Sequence, residues 1–159
     1  MRYMRKSWNG DTRGTATLEL AVVLPVLFSI GFGIFEFGNI IYNYHLISNG
    51  VRDAARYASG LPQGSADSAA KSIALTGRIS GTEYRISWWT DPTTISITPI
   101  LVPNNLVSGI KEYRGPDPIV MVRVQAIVPY SLPLGFLGYL GLGPITLTAT
   151  HEERLFGVR

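Results

Sequence analysis

The chain contains no cysteine and only two histidines, His45 and His151. The first absence removes disulfides, thiolate metal centres and cysteine nucleophiles. The second, with no H-x-x-x-H or Cys/His spacing, argues against a transition-metal site. Gly135, Gly138, Gly141 and Gly143 do not fall in the G-x-x-x-x-G-K-[ST] order that cradles phosphate, and no G-x-S-x-G elbow is present. Glu152 and Glu153 are neighbours whose side chains diverge, and they read as a solvated chain end. No internal repeat is visible. Catalytic residues, metals and cofactors are therefore not expected, and the chain reads as non-enzymatic.

A basic surplus is also missing from most of the chain. The formal charge is +3, yet residues 1–14 hold four basic residues (Arg2, Arg5, Lys6, Arg13) against one acid, Asp11. Everything after Gly14 balances to zero, so the body has no excess cation to neutralise phosphates, and nucleic acid is not an expected partner. Lys and Arg beside a membrane helix stay cytoplasmic, which places the N-terminus inside and the remainder outside.

What is abundant is apolar sequence near the start. Leu20 to Phe35 is a run of sixteen residues without a charge. With its flanks it is long enough to cross a bilayer, so membrane lipid is an expected partner. Thr15 or Thr17 is the expected N-cap, with Glu19 in the first turns, where the helix dipole favours an acid. Pro25 is interior and should bend the helix. Ser29 and Gly33 have the small-xxx-small spacing that lets helix backbones approach. Beyond Glu36, an amphipathic stripe of Ile40, Ile41, Tyr44, Ile47, Val51, Ala54, Ala55 and Ala58 carries the helix on to Ser59, with Arg52, Asp53 and Arg56 marking its emergence into water. No small-residue signal-peptidase site follows the apolar run.

The rest reads as an α+β head. A short helix is expected over 65–76, capped by Ser65 and ended by Gly77. Residues 83–89 (EYRISWW) and 94–98 (TISIT) are expected to form a hairpin turned at Asp91-Pro92, with Trp88 and Trp89 facing opposite ways. Residues 99–118 read as an irregular loop, and 119–128 and 145–150 as strands. The fold class is therefore α+β: a long N-terminal transmembrane and amphipathic helix, then a small head with about four β-strands and a short helix. The domains are a basic leader (1–14), the helix (15–60) and the head (61–159). The apolar segment 131–142 is too short to span; packing on the sheet is favoured over contact with the membrane interface or a neighbour.

Glu19 is the sharpest chemical signal. A carboxylate at the edge of a membrane helix costs a few kcal/mol if it enters lipid unpaired. Scission after Gly14 would remove the whole +3 and create an α-amino group at Thr15. That amine is the natural counter-charge for Glu19 of the same or an adjacent subunit.

Gly, four residues and Glu before an apolar N-terminal helix resembles the processing signature of type IV prepilins and pseudopilins. The longer run through Gly14, Glu19, Pro25, Glu36 and Arg52-Asp53-Ala54-Ala55-Arg56 resembles the TadE-like pseudopilins of the tight-adherence (Tad/Flp) pilus system. The resemblance spans about 13–59; the tail, 145–150 followed by Glu152 and Glu153, also has the family's look. Leu20, where a Tyr usually follows the Glu of the major pilin, and the larger head both favour a minor pseudopilin. The resemblance implies leader removal by a prepilin peptidase at Gly14–Thr15. It also implies partnership with other pilin or pseudopilin subunits and the pilus assembly machinery. The expected location is the bacterial inner membrane, with the head periplasmic or extracellular, and the expected role is assembly of a surface fibre used in adhesion and biofilm formation. An uncleaved single-pass envelope binding or scaffold protein is the rival reading.

Overall fold

In the computed structural model, the residues described are 12–62, 67–107, 109–115 and 117–156. Residues 1–11 of the expected 1–14 leader, and the expected cap at Ser65, lie outside them.

Helix α1 runs from Thr12 to Ser59 without a break. At 1.5 Å per residue it is about 70 Å long. It does not open at Thr15 or Thr17, since the backbone is already helical over Thr12-Arg13-Gly14. Glu19 therefore lies beyond the first turn, where the dipole's support has faded. Helix α2, Asp67–Thr76, ends at Gly77, whose left-handed backbone (φ 80°) lets its N–H reach the Ile73 carbonyl at 2.8 Å.

Among the described residues five strands follow: β1 Ile95–Val102, β2 Leu106–Val107, β3 Ile110–Lys111, β4 Ile119–Tyr130 and β5 Ile145–Arg154. The main sheet is antiparallel in the order β1-β4-β5, and β2 pairs with β3 in a separate short ladder. β1 is an edge strand and tolerates Pro99, whose missing N–H would break a central ladder. β1 pairs with β4 only up to Ala126, so Pro129 also faces no strand on that side.

Two expectations about the loops are corrected. Residues 83–89 form no strand. The Arg85 N–H donates to the Leu75 carbonyl, which ties the segment to the end of α2, and Asp91 caps a 3₁₀ turn at Pro92–Thr94 instead of turning a hairpin. The Asp91 carboxylate accepts from the Thr93 hydroxyl and N–H, and these bonds hold its pKa below the ordinary value. Residues 99–118 are not all irregular, since they contain the end of β1 and the β2–β3 ladder. The buried Asn104 organises the remainder by exchanging hydrogen bonds with the Tyr113 backbone at 2.9 Å each way.

Alternation along β4 puts Val122, Val124, Ala126, Val128 and Tyr130 on one buried face. That face, with Leu147 and Ala149 of β5, packs on the upper half of α1 through Ile47, Val51, Ala54, Ala55 and Ala58. Each fully buried Val, Leu or Ile side chain here contributes about 1.5–3 kcal/mol. Ala70, Ala74 and Leu75 of α2 and the buried Trp89 complete the core. Trp89 donates its Nε1–H to Thr94 Oγ1 at 2.9 Å, while Trp88 is exposed against the Tyr130 ring. The two tryptophans do face opposite ways, although not on a strand.

Candidate functional site on the long helix

Helix α1 divides at Glu36. Below it the large apolar side chains, among them Leu18, Val22, Val26, Ile30 and Ile34, are exposed. Above it Ile47, Val51, Ala54 and Ala55 are fully buried in the head. The segment Gly14–Ser59 is long and apolar enough to cross a membrane, and none of its most apolar stretch is buried within the chain. A surface that water would strongly disfavour is what a bilayer accommodates.

Pro25, Ser29, Gly33 and Glu36 follow one another at spacings of four, four and three, so they share a helix face. The same face continues upward through Ile40, Asn43, Ile47 and Gly50, where the head covers it. Below the head it is open: a Cβ built at Gly33 would meet no atom within 4 Å. The Ser29 hydroxyl donates to the Pro25 carbonyl at 2.8 Å, so this polar group is satisfied within its own helix.

Glu36 is fully buried and holds the head to the helix. Its Oε1 accepts from the Phe136 N–H at 3.0 Å and its Oε2 from the Leu137 N–H at 2.7 Å. These amides open the short helix α3, Phe136–Tyr139, whose cap position is Gly135 in a left-handed conformation (φ 67°) with no side chain to offer. Glu36 supplies that cap from a distant part of the chain. The Phe32 and Phe136 rings meet one turn below, with centroids 5.9 Å apart. The 131–142 segment therefore packs chiefly on α1, correcting the expected docking on the sheet. The Phe136 and Leu137 amides find their acceptor in the Glu36 carboxylate, whereas the open face of the sheet is largely polar, with Ser96, Thr98, Arg123, Gln125 and Thr148.

Just above, Asn43 Nδ2 donates to its own helix at the Asn39 carbonyl (2.8 Å) and to the Tyr130 hydroxyl (3.3 Å). Burial pushes the Tyr130 phenol pKa above its ordinary value; the Asn43 bond works against that rise and the negative charge of Glu36 adds to it.

Gly14, Thr15 and Glu19 lie in the exposed lower helix, far from the clamp. Thr15 and Glu19 are one turn apart and share a face. Among the described residues Glu19 makes no ion pair.

Charges near the far end of α1 do more than mark its emergence. Asp53 pairs with Arg85, and Arg56 Nε lies 3.7 Å from Glu153. Glu153 also meets His151 at 3.1 Å, and Glu152 pairs with Arg123 across the sheet. Glu152 and Glu153 are thus partly buried strand residues on opposite faces, not a solvated end. Alternation stops at Thr150, so the sequence pattern gives no signal that these residues continue the strand.

A bare, apolar lower helix bearing a clamped α+β head is that of a membrane-anchored protein whose anchor and head share one helix. Residues 14–56 match the family model described as TadE-like protein. The match covers nearly all of α1 and none of the head's other elements. No curated protein and no solved structure matches the chain.

Proposed function

We propose that the chain is a minor pseudopilin in the assembly of a Tad-type pilus. The observation that carries this is the split of α1 at Glu36, lying within the segment that matches TadE-like protein. One helix is committed to the head above that point and left bare below it, as an anchor that can later pack among other helices requires. The open stripe of Pro25, Ser29 and Gly33 suits close approach of a second helix. The subunit acts by assembly, not by catalysis. Its leader is removed after Gly14 by a prepilin peptidase in the inner membrane, and the head faces the periplasm or the exterior. Scission needs extended backbone, and Gly14 assists because glycine weakens a helix by about 1 kcal/mol relative to alanine. The freed Thr15 amine then meets Glu19 of its own or an adjacent subunit and fixes register in the bundle. The fibre so formed serves adhesion and biofilm formation.

The test is paired. Gly14→Trp is expected to leave Met1 on the protein recovered from membranes and to abolish fibres. Glu19→Ala is expected to be cut normally, with Thr15 as its first residue, yet to support no fibres. Normal fibres from the Glu19→Ala chain would sink the register role. Native protein that keeps Met1 in cells holding the peptidase would favour an uncleaved envelope scaffold instead.

A further inference from the structure

We infer that the 131–142 segment is a second membrane contact, inserted into the leaflet nearest the head. The inference rests on α1 being the anchor proposed above. Contacts order the sheet along that helix. At the far end the Phe156 N–H reaches the Ser59 carbonyl at 3.0 Å, and Glu153 faces Arg56. Lower down Tyr130 meets Asn43, and lower still Phe136 meets Glu36 and Phe32. The β4–β5 connection is therefore the part of the head that points toward the apolar half of α1.

Its height follows from the helix rise. Thr15 to Glu36 covers about 32 Å, close to the ~30 Å hydrocarbon core. With Thr15 at the near surface, Glu36 falls at the far boundary, and Phe32, about 6 Å lower, falls inside it. The Phe136 ring meets Phe32 at a tilt and so shares that depth. Leu134 closes a shallow apolar groove with Leu27, Phe28, Gly31, Phe32 and Phe35.

Composition agrees with the height. No Asp, Glu, Lys or Arg occurs in 131–142. Leu134, Leu140 and Leu142 are more than half exposed, and Tyr139 is 88% exposed. Such a cluster on a head surrounded by water is unfavourable. At an interface the leucines enter acyl chains, and tyrosine has its preferred place at the headgroups. Glu36 makes this placement tolerable, because its carboxylate meets two N–H donors instead of bare lipid.

The cysteine-free sequence allows a direct test on the full chain. Val26→Cys in the anchor, Leu140→Cys in the segment and Thr148→Cys on the open face of the sheet each carry an environment-sensitive fluorophore. The labelled proteins are reconstituted in phosphatidylethanolamine–phosphatidylglycerol vesicles with nitroxide on the acyl chains. The expected result is blue-shifted emission at 26 and 140, quenched severalfold more than at 148, at every protein-to-lipid ratio. Water-like emission at 140 with quenching at 26 overturns the second contact and leaves the anchor standing. Water-like emission at both overturns the anchor as well. Protection at 140 that appears only at high protein-to-lipid ratio assigns the surface to a neighbouring chain and overturns lipid contact.

Discussion

Glu36 is where the helix and the head are fastened, and its chemistry gives a prediction. Glu36→Ala leaves the Phe136 and Leu137 amides without an acceptor, at a cost of about 2–3 kcal/mol. The expected outcome is much faster hydrogen exchange at those two amides while the Val124 amide in β4 stays protected. Glu36→Gln keeps one carbonyl acceptor and should fall between. Unchanged exchange at Phe136 and Leu137 in the alanine variant would refute the clamp. Sequence alone marked Glu36 as a charge ending an apolar run, but it could not name the partner. Backbone amides carry no residue signature, and the cap they lack belongs to a glycine with no side chain to betray the need.

Among the elements, the contact between α1 and α2 turns on one residue. A Cβ at Gly50 would lie 2.4 Å from the Ala74 carbonyl oxygen, an atom fixed in the helix backbone. Gly50→Ala should therefore push α2 away, losing about 1–3 kcal/mol by overpacking against a gain of up to about 1 from helix propensity. Gly38→Ala meets nothing and should be neutral or stabilising. Thermal melts in detergent should thus move in opposite directions or by clearly different amounts; equal shifts would contradict the packing. Periodicity revealed α1, α2, β4 and β5 because each has a buried stripe. It failed at 83–89, where alternating EYRISWW looks like a strand. The physical partners there are the Leu75 carbonyl and the Asp53 carboxylate, both far away in sequence. It also ended β5 four residues early, because His151, Glu152 and Glu153 meet charged partners rather than core.

For the molecule as a whole, the division into anchor and head was legible from hydropathy, but the level at which they join was not. Charges at Arg52 and Arg56 suggested emergence near residue 52, whereas the head already grips α1 at Phe32 and Glu36. The intervening polar groups, Asn39 and Asn43, bond back to the helix and give little sign of water. Because the hydrophobic core begins above Glu36, removing residues 1–30 takes away none of its members. That shortened chain is expected to fold in detergent-containing buffer with a melting midpoint close to that of the intact protein, measured by circular dichroism. Loss of a cooperative transition would show that the bare half supports the head.

Fastening at both Phe32 and Ser59 leaves the head no freedom to swivel about α1. Its azimuth is locked to that of Glu19, and the helix between them is the gearing. One residue inserted between Val26 and Ile30 would lift the head by only about 1.5 Å but turn it by about 100° relative to the acid below. Orientation, far more than reach, is what the length of the lower rod encodes.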